Sequence, residues 1–126
     1  MLDRLEASGD VSGTGGRAPG KGVSGMEIYS NGSTLRLVGD FDVRSTGAVR
    51  DAIYDAFAEQ DDVVVDLSEV RAVDVTALRV LAVATHHAAR RGDHLRLRGC
   101  GPSVRRMLHI SRLIRAVEVE RVAVSA

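Results

Sequence analysis

Residues 63–78 read VVVDLSEVRAVDVTAL, and this stretch decides the fold. Val63, Val64 and Val65 form a continuous β-branched run leading into Asp66-Leu67-Ser68. Such a run is the pattern of a strand buried on both faces, as central parallel strands are. A loop then delivers Asp74, Val75 and Thr76 to a helix start, with Asp74 the expected N-cap and Thr76 in the first turn. Within that helix Leu78, Leu81, Ala82 and Ala89 make an apolar stripe whose one polar member is Thr85. A buried strand feeding a helix is half of a βαβ unit, so the sheet should be parallel here and covered by helices.

Upstream, MEIY and TLRLV are short strand-like runs around Ser30-Asn31-Gly32-Ser33. Asn-Gly supplies the positive φ values of a tight turn, which predicts a β-hairpin. After Gly39-Asp40-Phe41-Asp42 the period changes: Val49, Ile53 and Phe57 recur at helical spacing beside Ala48, Ala52 and Ala56. Asp42 or Ser45 is placed to cap that helix, and Asp61 and Asp62 to end it.

Downstream, Arg90 and Arg91 suit the negative end of the second helix and Gly92 its C-terminal stop. Leu95 and Leu97 alternate with Arg96 and Arg98, a strand with one wet face. Gly99-Cys100-Gly101-Pro102 turns into a third helix lined by Val104, Met107 and Leu108, with proline where the first helical residue tolerates it. Val117 and Val119 predict a last short strand. The expected class is α/β: a mixed, mostly parallel sheet of about five strands that opens with a hairpin, helices packed mainly on one side.

The 126 residues hold one domain and one core. Residues 8–25 read SGDVSGTGGRAPGKGVSG, with too little apolar surface to offset ordering. The expected organisation is therefore a disordered tail over residues 1–25 and a folded domain over 26–126. Seventeen basic residues balance seventeen acidic ones, which gives no electrostatic reason for a nucleic-acid partner. The charges are nevertheless segregated, acids dominating from Asp40 to Asp74 and arginines from Arg90 to Arg115, as two solvated faces would be. One cysteine, Cys100, precludes an internal disulfide, and no leader-like or bilayer-length apolar run occurs. The expected compartment is the cytoplasm, with no membrane insertion.

Three motifs invite chemistry and lack its context. Residues 15–22, GGRAPGKG, mimic a phosphate-binding loop, but Gly22 replaces the metal-binding hydroxyl, no apolar strand precedes and no amphipathic helix follows. Residues 99–104, GCGPSV, carry two of the three glycines of a dinucleotide fingerprint, with valine where the third belongs. Cys100, His86, His87, His94 and His109 have no catalytic or zinc spacing. No cofactor and no metal are expected.

From about Thr34 to Glu120 the chain resembles bacterial anti-sigma factor antagonists, the STAS-domain family. The likeness rests on Gly39-Asp40-Phe41-Asp42 with Ser45 three residues on, and on the strand ending Asp66-Leu67-Ser68. It rests equally on the helix start Asp74-Val75-Thr76-Ala77-Leu78, and on Leu95-Arg96-Leu97 followed by the Cys100-Gly101-Pro102 turn. The resemblance implies a non-enzymatic protein that binds a kinase-like anti-sigma factor and frees a sigma factor by partner switching. It also implies that the residue after the motif aspartate is a serine which the partner phosphorylates. Here that position is Val75, which has no hydroxyl, and Thr76 is a secondary candidate acceptor. The expected docking rim comprises Asp42, Ser45, Ser68, Asp74, Val75, Thr76, Arg79 and Val80.

Two alternatives stay open at this point. One is a STAS subunit of a lipid-transport or stress-signalling complex. The other is a small hydrolase or transferase using Asp42, Asp74 and Thr76, for which the sequence shows no base or nucleophile motif. The sequence leaves the oligomeric state open.

Overall fold

In the computed structural model, which describes residues 21–23 and 25–120, the hairpin is formed by β2 (Met26–Asn31) and β3 (Thr34–Phe41). Asn31 pairs with Thr34, so the two-residue loop is Gly32-Ser33, one position beyond the expected Asn-Gly pair. Only Gly32 takes a positive φ, 64°, the glycine-first pattern of a type II′ turn. The outer edge is β1 (Lys21–Val23), antiparallel to β2. β1 falls within the stretch 1–25 expected as a tail, of which residues 1–20 and 24 lie outside the described residues.

The chain continues through α1 (Thr46–Phe57), β4 (Asp62–Val73), α2 (Val75–Arg90), β5 (His94–Arg98) and α3 (Pro102–Ile110). A 3-10 turn (Leu113–Ala116) and β6 (Glu118–Val119) follow. The strands make one six-stranded sheet in the order β1-β2-β3-β4-β5-β6, antiparallel up to β3 and parallel from there. Each parallel step is crossed by a helix, and strands added in one direction by crossovers of one hand put their helices on the same face. α2 packs against α1 on one side and α3 on the other.

Burial follows that arrangement. Leu35, Leu37 and Phe41 of β3, Val63, Val65 and Leu67 of β4, and Leu95 and Leu97 of β5 point into the core. Opposite them, α1 contributes Val49 and Ile53, and α2 contributes Leu78, Leu81 and the alanines 77, 84 and 88. The valine run was expected to be buried on both faces, yet Val64 and Asp66 are only half-buried. They lie on an open sheet face that also carries the Arg36–Glu69 (3.0 Å) and Arg98–Glu120 (2.6 Å) pairs. Such exposed pairs contribute little to stability, and the one-sided hydrophobic layer holds the fold.

Two further details depart from the sequence expectation, and Thr85 sits in the inner stripe of α2 as its spacing required. Asp62 opens β4 rather than closing α1, which stops at Phe57. On α2 Ala88 is buried and Ala89 exposed, because the inner face continues at 81, 84, 85 and 88. The buried Thr85 hydroxyl satisfies itself by donating to the Leu81 carbonyl at 2.7 Å.

β4 is the longest strand and is unevenly supported. β5 pairs only with Asp62–Asp66, while β3 follows β4 to Val73, with register shifts between Arg36 and Val38 and between Gly39 and Asp40. Gly39 allows this second half to close: at φ 113° it has no Cβ, and one built there would run into the Gly25 carbonyl. The same carbonyl accepts the Asp40 amide at 2.7 Å.

Candidate functional site

At the end of β4 the chain turns into α2 through Asp74, whose φ of −116° and ψ of 171° are those of an N-cap. Its Oδ1 accepts the Ala77 amide at 2.8 Å, one of the donors that a helix start leaves without a partner. Its Oδ2 accepts the Val43 amide at 3.2 Å, from the loop between β3 and α1. The Asp74 amide in turn donates to the Phe41 carbonyl at 3.3 Å. One carboxylate therefore caps α2 and ties it to a loop thirty-one residues away.

That loop has its own internal bracing. Ser45 is fully buried and its Oγ accepts the Asp42 amide at 3.2 Å and donates to the Asp42 carbonyl at 3.1 Å. Ser45, one of the two expected caps, occupies the N-cap position of α1 without a side-chain cap bond, and its hydroxyl braces the loop instead. Asp42 is held by Arg44 in a bidentate pair, Nε to Oδ1 at 3.0 Å and Nη2 to Oδ2 at 2.7 Å. The Arg44 side-chain hydrogen bonds, followed by its backbone amide, keep the Asp42 carboxyl below the ordinary carboxylate range.

Six of the eight expected rim residues adjoin one another: Asp42 and Ser45 in the loop, Asp74 at the cap, and Val75, Thr76 and Arg79 on the first turn and a half of α2. Val80 continues the helix and is half-buried, as are Val75 and Asp74, while Thr76 and Arg79 are exposed. Ser68 is elsewhere. It lies within β4, its amide and hydroxyl bonded to Asp66 Oδ1 at 2.9 and 2.7 Å, and packs against Gly99 at the end of β5. The expectation that all these segments meet at one rim is corrected for that residue.

Two apolar members went unread in the sequence. Val43 is 62% exposed in the loop, and Val83 is 51% exposed on α2. Val75, Arg79 and Val83 are spaced i, i+4, i+8, so they line one outward strip of α2. The inner stripe of that helix was legible by the same spacing; reading it around the outer face would have found Val83.

The other motifs acquire structural explanations. At Gly99 (φ 71°) a Cβ would stand 2.8 Å from the Ser68 Cβ and 3.2 Å from Asp66 Oδ1, so the glycine serves close packing and a turn. Cys100 is half-buried and burial pushes its thiol pKa up, the opposite of an activated nucleophile. His86 and His87 lie edge to face at 6.2 Å, and among the described residues no group of three His, Cys, Asp or Glu side chains is arranged for a metal ion. Among those residues no helix is long and apolar enough to cross a membrane. The glycine loop over residues 15–22 falls almost wholly outside the described residues.

The backbone is similar to an anti-sigma factor antagonist from Mycobacterium paratuberculosis, with a TM-score of 0.65 and 19% identity over 81% of this chain and 88% of that one. It is also similar to the anti-sigma factor antagonist SpoIIAA in its unphosphorylated form, with a TM-score of 0.59 and 13% identity over 76% of this chain and 88% of that one. The phosphorylated Bacillus cell fate determinant SpoIIAA gives a TM-score of 0.55 and 12% identity over 76% and 91%. At these identities the likeness is one of fold. No curated protein matches the sequence. The profile of the family described as "Mlab, STAS domain" matches residues 24–119, from the chain before β2 to the end of β6, and the chain therefore belongs to the STAS-domain family.

Proposed function

We propose that this chain is an anti-sigma factor antagonist. It docks onto a kinase-type anti-sigma factor through the loop 42–45 and the outer strip of α2, and so releases a sigma factor. One observation carries the reading: the Asp74 carboxylate joins that loop, with its exposed Val43, to the start of a helix whose outer strip carries the exposed Thr76, Arg79 and Val83. Exposed apolar side chains beside a charged one are what a docking patch requires, and an interior strip would not leave them in water. Both Asp74 oxygens accept backbone amides and Asp42 is bound to Arg44, so neither carboxylate is poised to take a proton from Thr76. This supports binding over catalysis.

Val75 gives the antagonist its particular character. A serine at that position would accept a phosphoryl group and bring about two negative charges beside Asp74. Valine offers an uncharged contact that no kinase modifies, so the protein behaves as a constantly unphosphorylated antagonist, active in the cytoplasm. The same feature favours a second reading. Without the phosphate switch, the chain equally suits a STAS subunit held in a larger lipid-transport or stress-signalling complex through the same rim.

The test is binding of the purified full chain to the anti-sigma factor and to transporter subunits encoded beside it, measured by calorimetry. Arg79→Glu and Val83→Asp should each weaken capture about tenfold or more, roughly 1.4 kcal/mol, and deletion of residues 1–20 should leave it unchanged. Loss of binding only on deletion of residues 1–20 would refute the rim. Capture by transporter subunits alone selects the second reading.

A further inference from the structure

We propose that the chain self-associates head to tail, the arginine-bearing outer face of α3 in one copy seating in the acidic groove beside α1 in the next. The groove, of about 380 Å³, lies between α1 and the β2–β3 hairpin, on the flank of α1 away from α2. Its floor is apolar and small: Ala48, Ala52 and Ala56 over Ile28 and Leu35. Its rim is Asp51, Asp55 and Glu59, spaced i, i+4, i+8 along one face of α1. Asp51 has only a long 3.7 Å contact with Arg50, and among the described residues no cation pairs with Asp55 or Glu59.

α3 offers the counterpart on the other side of α2. Ile110 is 69% exposed, more than any other large apolar side chain described, and Arg106 lies one turn before it on the same face. Arg106, Arg112 and Arg115 are exposed and have no acidic partner among the described residues. An aliphatic knob with guanidinium groups that have no acidic partner among the described residues matches, in polarity and charge, an alanine-floored groove whose rim carries Asp55 and Glu59, which have no cation partner there, and Asp51, which has only its long contact with Arg50. This is where the segregation of charge along the sequence finds a use.

The two surfaces are on opposite flanks of the helix layer, so one copy cannot satisfy both within itself. The contact is heterologous: each copy offers one knob and one groove, and repetition extends a chain of subunits rather than closing a symmetric pair. The Val43–Val83 rim stays outside it, so this inference stands or falls separately from the proposed partner.

The experiment is sedimentation velocity on the full chain across a concentration series. At low salt the sedimentation coefficient should rise with concentration, and at about 0.5 M salt, where screening acts within a few ångströms, it should fall back to the monomer value. Ile110→Asp, Arg106→Glu and Asp55→Arg should each stay monomeric. All three sites are exposed, and circular dichroism should show an unchanged fold. The decisive arm mixes Ile110→Asp with Asp55→Arg: the first retains a groove, the second a knob, and together they should form a one-to-one dimer that grows no further. A monomer at every concentration in low salt overturns the proposal. So does a dimer that survives either substitution, or a mixture that does not reassociate.

Discussion

The carboxylate of Asp74 reaches back to the amide of Val43 at 3.2 Å while its other oxygen caps Ala77 at 2.8 Å. The two bonds can be separated chemically. Asparagine keeps one acceptor oxygen for the helix cap and presents an NH2 group toward Val43, which donates and cannot accept. Asp74→Asn should leave the Ala77 amide protected and speed hydrogen exchange at Val43. Asp74→Ala should lose both, at a cost of about 1–2 kcal/mol in denaturant unfolding. Equal exchange at Val43 in wild type and Asp74→Asn would mean that this bond does not position the loop.

Val75→Ser supplies a hydroxyl at the position where the proposed function puts a phospho-acceptor. Incubated with its anti-sigma kinase and ATP, wild type should take up little phosphate, whereas Val75→Ser should be modified and released from the partner. Mass spectrometry of wild type, Val75→Ser and Thr76→Ala locates the phosphate. Stoichiometric modification of Thr76 in wild type would show that the neighbouring hydroxyl has assumed the switch.

Gly39→Ala places a methyl group against the Gly25 carbonyl at a φ of 113°. The three nearest atoms are all backbone, of Gly25 and Met26, so no flexible side chain can yield; the strained φ adds to the clash, and a loss of about 3 kcal/mol or more is expected. Gly32→Ala, with open space around it but φ 64°, should cost about 1 kcal/mol. Thermal or urea unfolding of the pair ranks them, and equal losses would contradict the close approach.

The pair Asp42–Arg44 makes a prediction in pH. Because the folded-state carboxyl is lowered, its contribution is present above the ordinary carboxylate range and disappears as pH falls through the lowered folded value. Arg44→Ala should raise the Asp42 titration midpoint toward the ordinary range, followed by NMR of the side-chain carboxyl. An unmoved midpoint would assign the lowering to something other than Arg44.

Where one face of an element is buried and the other wet, the sequence was legible. Leu95 and Leu97 against Arg96 and Arg98, and Leu78, Leu81 and Thr85 on α2, sit as their periods require. The valine run misled because β-branched residues suit strands on either face, and Val64 takes its place on the open one. Ser68 misled for a different reason. Its position along the chain near Asp74 does not make it a neighbour in space, because the strand carries on for five more residues before turning. Val43 carried no local signal at all, since its place in the site comes from a hydrogen bond to a residue thirty-one positions away.

The strand order has a consequence for synthesis. Every strand in the sheet lies beside its predecessor in the chain, so each pairing closes only the loop just made, at small entropic cost. The rim, however, joins residues on both sides of the α1 crossover. A growing chain that has emerged only through α1 has its hairpin but neither Asp74 nor α2. On the proposed function, competence to bind waits for α2 itself, because docking β4 on β3 brings Asp74 to Val43 but Thr76, Arg79 and Val83 follow on the helix, so a ribosome-bound fragment ending before α2 should be unable to titrate the partner.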